Sequence, residues 1–378
     1  MVNLTLKDLF HKKGKFILII LGLSFSIFLV QYSAGMYNGV LEQSTRLMDE
    51  ADYDVWLKAE DDKNFFENDF INDTSYYQLL NMENTEKIKE IERLIYTGVD
   101  IQTEKHETYG IMIGFDIWKS TRKIEPWNVI KGDVEDLREL NTIIVDKSLE
   151  NSFPNLDVDD TLLIGNTKMR IVGFCENARF MGNSYIWISI DSAKNAYPWV
   201  YNWSTAIGVN LDKGYEIDDF RDDVKDFVTE DLAVFSNEEL KENTHSMIIN
   251  EGGLGGAIYI LVGMGLFVGL IIISVSMYQS IQEKIPEFGT IKAIGASKRF
   301  IYNMLFGQVF VYLTLSFLLG TLFAILFYVT GLTGIMPVSF FIPTSLALYG
   351  VFLSTGLICS YFTIRKVHKI DPAIVFRV

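Results

Sequence analysis

The residue types that most often catalyse reactions or bind metals are scattered along this 378-residue chain. The histidines have no spacing typical of metal ligands; they are His11, His106, His245 and His368. Three carboxylates cluster at Asp157, Asp159 and Asp160, but the stretch lacks the glycine and the distal glutamate of a calcium-binding loop. Nucleotide-binding GxxxxGK(S/T), serine-hydrolase GxSxG and zinc-peptidase HExxH motifs do not occur. We therefore predict a solvated turn at the carboxylates, and no catalytic residue, metal site or cofactor in this chain.

The composition first resembles that of an acidic soluble protein. The chain is 49% hydrophobic and carries a net charge of −15, with a mean hydropathy of +0.19. A positive mean beside 21% charged residues requires apolar and charged residues to be segregated along the chain, which points to a membrane protein. The negative charge argues against a nucleic-acid partner. Only Cys175 and Cys359 are present, so a disulfide framework is not expected.

Four uncharged segments are long enough to cross the hydrocarbon core of a bilayer, which is about 30 Å thick. They are residues 16–36, 253–277, 307–329 and 344–364. A short loop at 330–343, with glycine and proline as helix breakers, makes a hairpin of the last two. For the first segment a cleaved signal peptide remains an alternative, because Lys12, Lys13 and Lys15 precede it and small residues end it.

The charge distribution predicts the orientation. Residues 1–15, 278–306 and 365–378 together hold 12 basic and 4 acidic side chains, whereas residues 37–252 hold 44 acidic and 21 basic ones. Basic residues are retained on the cytoplasmic side of short loops. We therefore expect residues 1–15, the 278–306 loop and the tail at 365–378 in the cytoplasm, and residues 37–252 outside the cell membrane.

The large region between the first two spans reads as a mixed α+β domain. Predicted strands at 52–58 and 94–103 enclose a helix at 83–92, and strands at 204–211 and 232–235 enclose a helix at 216–230. These halves, about 37–103 and 191–252, flank a β-rich unit at about 104–190. Its predicted strands are residues 142–145, 161–164, 169–174 and 185–190, with a tight turn at Gly165-Asn166.

Both ends of this region suggest helices that continue into the membrane. Ser236 and Glu239 form a capping-box pattern, and no proline or glycine follows before Gly252. A helix starting at Ser236 is expected to run across 252–256 into the second span, with the glycines as a hinge. A helical stripe at 36–48 suggests that the first span also extends outward. The alternative is a local amphipathic helix at each place.

The spans contain no Asp, Glu, Lys, Arg or His, which argues against an ion-coupled transporter. We interpret the polar exceptions Gln31 and Gln308 as partners in helix–helix hydrogen bonds, with a substrate contact as the alternative. Gly265 and Gly269 form a GxxxG motif, which makes them candidates for packing two copies of the chain in a dimer.

The loop after the second span carries the most specific pattern. Its central stretch reads Glu287-Phe288-Gly289-Thr290-Ile291-Lys292-Ala293-Ile294-Gly295-Ala296-Ser297. It resembles the segment after the second transmembrane helix in FtsX-like and MacB-type ABC transporter permeases. Residues 4–15 resemble the amphipathic entry helix of that family, with basic residues before the first span, which implies an amphipathic N-terminal helix at 1–15. The ending near Pro372 and the order of one span, a large domain and three spans are similar as well. Pro286 and Gln308 depart from the family pattern, and a weaker similarity in the middle of the domain points to DevC-type exporter permeases.

The resemblance implies a MacB-type fold of four transmembrane helices with a large extracytoplasmic α+β domain between helices 1 and 2. It also implies a homodimer that binds two copies of a separate cytosolic ATPase, which would bind the ATP. The coupling segment would consist of Glu287, Phe288, Gly289, Ile291, Lys292, Ala293, Ile294, Gly295 and Ala296. Apolar Phe288, Ile291 and Ile294 beside small residues fit a surface helix that docks a partner.

Two other functions remain open. An FtsX-like regulator would activate an extracytoplasmic cell-wall hydrolase without transport, and a membrane sensor or scaffold would need no ATPase. The leading hypothesis is a permease that transmits force from the ATPase to the outer domain for export or extraction of a substrate, with an extracytoplasmic adaptor or hydrolase as a possible further partner.

Overall fold

A computed structural model describes residues 13–83, 87–283, 298–329 and 337–367. The chain divides into two compact units. The helical unit comprises Met1–Gly39 and Leu254–Val378, and the inserted unit comprises Val40–Gly253. The first helix, α1 (Lys13–Ala51), is uninterrupted, so the expected extension of the first span beyond residue 36 is confirmed.

The inserted unit is built around one large sheet and a few helices. Its strands are β1 (Val55–Ala59), β2 (Ile71–Asn72), β3 (Ile88–Gln102), β4 (Glu107–Phe115), β5 (Val129–Lys131), β6 (Thr142–Asp146), β7 (Thr161–Ile164), β8 (Thr167–Cys175), β9 (Arg179–Phe180), β10 (Asn183–Ser189), β11 (Trp203–Ser204), β12 (Ala206–Leu211) and β13 (Leu232–Ser236). Its α-helices after α1 are α2 (Asp73–Glu83), α3 (Ile190–Ala196), α4 (Ile217–Phe227) and α5 (Asn237–Ser246).

The predicted helix at 83–92 is wrong. Residues 88–92 belong to β3, and the helix of this half, α2, ends at Glu83. The Lys- and Glu-rich stretch favours a helix locally, but pairing with β12, where Ile91 lies opposite Val209, outweighs that preference. The other strands found near their predicted places have bounds that differ by a few residues, and β7 has the predicted ones.

The long strand β3 joins the flanking halves and the β-rich middle, which the sequence analysis predicted as separate units. Its first half pairs with β12 and its second half with β4, so the flanking halves and the middle share one sheet in the order β13-β1-β12-β3-β4-β10-β6-β8-β5. Strand β7 pairs with both β8 and β3. These pairings close β3, β4, β10, β6, β8 and β7 into a six-stranded ring, which leaves fewer open sheet edges.

Separate buried apolar clusters pack against different parts of this sheet. Side chains from the ring strands, including Val99, Met112, Val145 and Ile188, form one buried cluster. On the β1–β12 part, α2 and α4 cover one face. The hairpin between β7 and β8 turns at Gly165, whose φ of +58° is accessible to glycine without strain, as the predicted turn requires.

The second expected continuous helix is interrupted. Helix α5 is capped by Ser236 and Glu239, as predicted, and is followed by one π-helical turn, Met247–Glu251. Gly253 then has a φ of +69°, and the next helix, α6, begins at Leu254. The left-handed residue ends the helical hydrogen-bond ladder, so the glycines separate two helices.

Three further helices complete the helical unit: α6 (Leu254–Glu283), α7 (Lys298–Val329) and α8 (Ile342–Val367). Together with α1 they are the four helices of the described chain that are long and apolar enough to cross a membrane. Leu23, Ile27, Ile273, Leu313 and Phe352 belong to their common buried core.

Candidate functional site

The predicted coupling segment, Glu287 to Ala296, lies outside the described residues, but its flanks are described. At the start of α1, Lys15 pairs with Glu283 at the end of α6, with 3.2 Å between Nζ and Oε2. Ile281 of α6 and Leu305 of α7 are buried in one cluster. The helices that lead into and out of the segment are therefore packed together, and α1 begins beside them.

The glycines predicted to pack a dimer are used within one chain. A Cβ built on Gly265 would lie 2.5 Å from Cγ2 of Val30, and one on Gly269 would lie 2.8 Å from Oγ of Ser26. The Ser26 hydroxyl donates a hydrogen bond to the Gly265 carbonyl. Helix α1 thus occupies the face of α6 that the GxxxG motif presents, which corrects the assignment of Gly265 and Gly269 as an open surface for a second copy.

The polar residues of the spans join helices to each other. Gln31 donates from Nε2 to Oγ1 of Thr321 in α7 at 2.8 Å. Gln308 accepts from the Ser280 hydroxyl of α6 at 3.3 Å. Both glutamines are buried, at 2% and 1% exposure, so the predicted role in helix–helix hydrogen bonding is confirmed.

A second glycine pair was missed from the sequence. Gly35 and Gly39 of α1 are also spaced as GxxxG, and they face the extended segment 337–340 that precedes α8. The Ser339 N–H donates to the Gly35 carbonyl at 2.8 Å. A Cβ on Gly39 would lie 2.7 Å from the carbonyl carbon and oxygen of Pro337. We call 337–340 the strap. The spacing of the two glycines was the available signal, but the partner is more than 290 residues away in the chain.

The last turns of α1 are anchored in the inserted unit. Leu47, Met48 and Ala51 are buried in its main aromatic core. Lys241 of α5 pairs with Asp49 at 2.5 Å, and a ring nitrogen of His245 lies 3.2 Å from the Leu41 carbonyl oxygen. Helix α5 therefore runs antiparallel beside the last three turns of α1, and the two form one packed pair.

Two family profiles match the chain. The MacB-like periplasmic core domain matches residues 16–227, which is more than half of the chain. The FtsX-like permease C-terminal matches residues 259–372, a range that includes the predicted coupling segment. The chain belongs to the FtsX/MacB-type family of ABC transporter permeases. The permease is thus a multi-pass membrane protein with four apolar helices and an α+β domain between the first two, as its sequence predicted.

Solved structures similar to the permease come from several bacteria. The periplasmic region of MacB from Actinobacillus actinomycetemcomitans is 9% identical, with a TM-score of 0.38, over 50% of the permease and 90% of that chain. The extracellular domain of the noncanonic ABC-type transporter YknZ from Gram-positive bacteria is 11% identical, with a TM-score of 0.36, over 49% and 99%. A domain of a putative permease protein from Porphyromonas gingivalis is 13% identical, with a TM-score of 0.32, over 48% and 86%.

A charged pair lies deep inside the inserted unit of the permease. Lys58 is 1% exposed, and its Nζ contacts Oδ2 of Asp62 and the carbonyl of Thr205, both at 3.1 Å, as well as the Glu67 carbonyl. Three acceptors match the three N–H donors of an ammonium group. Burial lowers the pKa of Lys58 and raises that of Asp62, and their mutual attraction opposes both shifts. The pair fixes the loop after β1.

The reactive groups of the described residues show no catalytic arrangement. No group of three or more His, Cys, Asp or Glu side chains in the described ranges is placed to hold a metal ion. The Cys175 thiol is buried, and this burial raises its pKa, which makes it a poor nucleophile. Asp157 pairs with Lys131, and Asp159 pairs with Arg170 at 3.0 Å. The carboxylate cluster is therefore bound to basic side chains of the same domain.

Proposed function

We propose that this chain is the membrane subunit that couples ATP hydrolysis by a separate cytosolic ATPase to motion of its extracytoplasmic domain. The permease works as a homodimer with two copies of the ATPase. Both termini and the 278–306 loop are cytoplasmic, which agrees with the 12 basic and 4 acidic side chains of the three short segments. The permease itself binds no ATP.

The ATPase docks on the coupling segment, which lies between Glu283 and Lys298. The contacts of its flanks support this role. Because Lys15 pairs with Glu283, a displacement of the end of α6 also displaces the start of α1. The tight contact of Gly265 and Gly269 with α1 extends that coupling along the two helices. Packed helices of this kind move together, because interiors are close-packed and resist compression.

The observation that carries the proposal is the unbroken α1. The same helix starts at Lys13, beside the flanks of the coupling segment, and ends at Ala51, in the core of the inserted unit. A continuous helix transmits a displacement along its axis without a flexible joint. By contrast, the connection through α5 and α6 has a glycine joint at Gly252 and Gly253. We infer that α1 drives the domain and that the glycine joint lets it move.

Motion of the outer domain replaces passage of substrate between the spans. The spans lack charged side chains, and their glutamines bond to neighbouring helices. A polar route for a substrate would need polar groups that face a cavity. We therefore propose export or extraction by mechanotransmission.

The dimer uses faces other than the one carrying Gly265. In the described part of the chain, a Cβ built on Gly256 or Gly263 of α6 meets no atom within 4 Å, and Ile260 between them is 65% exposed. Small residues on an open helix face let two transmembrane helices approach closely. A second copy of α6 fits this face.

The docking step is tested by co-purification of the permease with the ATPase encoded next to it. We expect Phe288→Asp to abolish the complex, because a charge replaces the apolar contact of the segment. Phe288→Leu is the matched control and keeps the complex. An undisturbed complex with Phe288→Asp, in a folded permease, would contradict docking through this segment.

A further inference from the structure

The strand ring of the inserted unit is joined to the β1–β12 part of the sheet by β3. We use this name for the closed ring of β3, β4, β10, β6, β8 and β7. Strand β12 pairs with β3 up to Leu94, and β4 pairs with it from Ile95 onward. Lys194 of α3 and Asp73 of α2 add an ion pair between the two parts, at 3.1 Å. These contacts do not include α1, so they do not explain how a displacement of α1 reaches the strand ring.

One loop of the strand ring contacts the end of α1. We call residues 116–128, which join β4 to β5, the collar loop. Lys123 of this loop donates a hydrogen bond from Nζ to the carbonyl oxygen of Asp52, the residue that follows α1, at 2.8 Å. The guanidinium of Arg46 in α1 lies 5.4 Å from the ring centre of Trp127, which is a cation–π contact. The collar loop therefore holds the end of α1 through two separate side chains.

The collar loop is itself fixed to the strand ring. The carboxylate of Glu92 on β3 is buried, at 3% exposure, and accepts the backbone N–H groups of Lys123 and Ile124 at 3.2 and 3.1 Å. A buried acceptor that satisfies two neighbouring N–H groups holds the backbone of the loop in place. Trp127 packs on Trp187 of β10 with ring centroids 5.1 Å apart. Because the loop is held on this side as well, a pull on Lys123 or Trp127 also displaces the strand ring.

We propose that the collar loop fixes the strand ring to the end of α1, so that α1 and the strand ring move as one body. Arg46, Lys123 and Trp127 act as positioning residues, which keep α1 and the strand ring in one relative orientation. This fixation is a property of the single chain. That an ATPase displaces α1 rests on the proposed function above.

The test measures the distance between α1 and the strand ring in the full-length permease, in nanodiscs and without ATPase. Spin labels are placed at Glu42→Cys, an exposed position of α1, and at Leu140→Cys, which lies just before β6 and is 60% exposed. Cys175→Ala and Cys359→Ala remove the native thiols. Labelled chains are diluted with unlabelled ones, so that the distance is measured within one chain. We expect a single narrow distance.

The perturbation reverses the charge at Lys123. The carboxylates of Asp52 and Glu90 each lie 3.9 Å from its Nζ, so Lys123→Glu brings three carboxylates together and repels the collar loop from the end of α1. Arg46→Met in the same chain removes the cation–π contact. We expect Arg46→Met/Lys123→Glu to lose the single narrow distance and to give a broad distribution.

Two variants serve as controls for the charge. Lys147→Glu makes the same charge reversal directly after β6, at a residue that pairs with Glu176 at 3.4 Å and not with α1. Lys123→Arg keeps a charged donor at the collar loop. Both are expected to keep the narrow distance. A narrow distance in Arg46→Met/Lys123→Glu, or a distribution equally broad in Lys147→Glu, would overturn the proposal.

A second pair of labels separates this role from a general loosening of the domain. Glu42→Cys is combined with Lys225→Cys on α4, where the lysine side chain is 74% exposed. Helix α4 covers the β1–β12 part of the sheet, and β1 follows α1 directly in the chain. We expect this distance to stay narrow in Arg46→Met/Lys123→Glu. If it broadens together with the Leu140 distance, the two residues stabilise the whole domain and the proposal is overturned.

The two proposals fail separately. Failure here leaves the coupling function standing, because no ATPase is present in the measurement. Conversely, Phe288→Asp is expected to leave the narrow distance between Glu42→Cys and Leu140→Cys unchanged, because the collar loop holds α1 without the ATPase.

Discussion

Replacing Gly39 by alanine is expected to loosen the contact between α1 and the strap. The added methyl carbon would lie 2.7 Å from the Pro337 carbonyl and 2.8 Å from the Val338 nitrogen. All of these are backbone atoms, so the strap itself has to move. Overpacking of this kind costs about 1–3 kcal/mol. If the strap moves away, the hydrogen bond from Ser339 to Gly35 is lost, at about 0.5–1.5 kcal/mol.

The opposing effect is smaller. Alanine is a better helix former than glycine by about 1 kcal/mol, so the net loss of stability for Gly39→Ala is about 0.5–3.5 kcal/mol. The matched control is Gly350→Ala, which makes the same change in α8 at a position with no atom of the described chain within 4 Å of the new carbon. It is expected to leave stability unchanged or raise it.

The assay follows unfolding of the full chain in detergent by the reactivity of Cys359 in α8, the helix that follows the strap. Cys175→Ala removes the other thiol. Gly39→Ala is expected to expose Cys359 at a lower concentration of SDS than the wild type, and Gly350→Ala is not. Equal midpoints for Gly39→Ala and Gly350→Ala would refute the close packing of α1 against the strap.

Two further predictions concern the inserted unit. Lys58→Met leaves Asp62 buried without its partner and should destabilise the protein by about 3–5 kcal/mol in urea unfolding, whereas Lys58→Met/Asp62→Leu should recover most of that loss; equal losses would contradict the pairing. Ser236→Ala removes the cap of α5 and should cost about 1 kcal/mol in the same assay. The backbone N–H of Ser236 lowers the pKa of Glu239, so the contribution of this carboxylate is present above the usual glutamate pKa and is lost as the pH falls through the lowered value. A Ser236→Ala protein with wild-type stability at neutral pH would contradict the capping box.

The sequence was sufficient where the signal is local. Uncharged apolar segments predicted all four spans, because a bilayer demands such runs, and the Ser236–Glu239 spacing predicted the start of α5. The sequence was not sufficient where β-strand pairing between distant residues determines the structure. Residues 88–92 favour a helix by composition, yet β12 makes them a strand. The closed ring of strands depends on contacts between β3 and β7 that no local pattern contains.

The candidate site shows the same limit. A GxxxG spacing identifies a helix face that packs closely but not its partner. At Gly265 the partner is α1 of the same chain, and at Gly35 it is the strap. The buried state of Lys58 was also beyond reach, because its acceptors come from residues 62, 67 and 205.

The most direct test of force transmission breaks α1 just after it leaves the helical unit. Glu42 is an exposed residue of this helix, and proline there removes a backbone hydrogen bond and kinks the helix, whereas Glu42→Ala keeps it. Spin labels at Leu140→Cys, which is 60% exposed on the inserted unit, report the distance between the two copies in the complex with ATPase. We predict an ATP-dependent change of this distance in the Leu140→Cys protein and with Glu42→Ala, and none with Glu42→Pro, although ATP hydrolysis continues. The same distance change with Glu42→Pro would contradict transmission through α1.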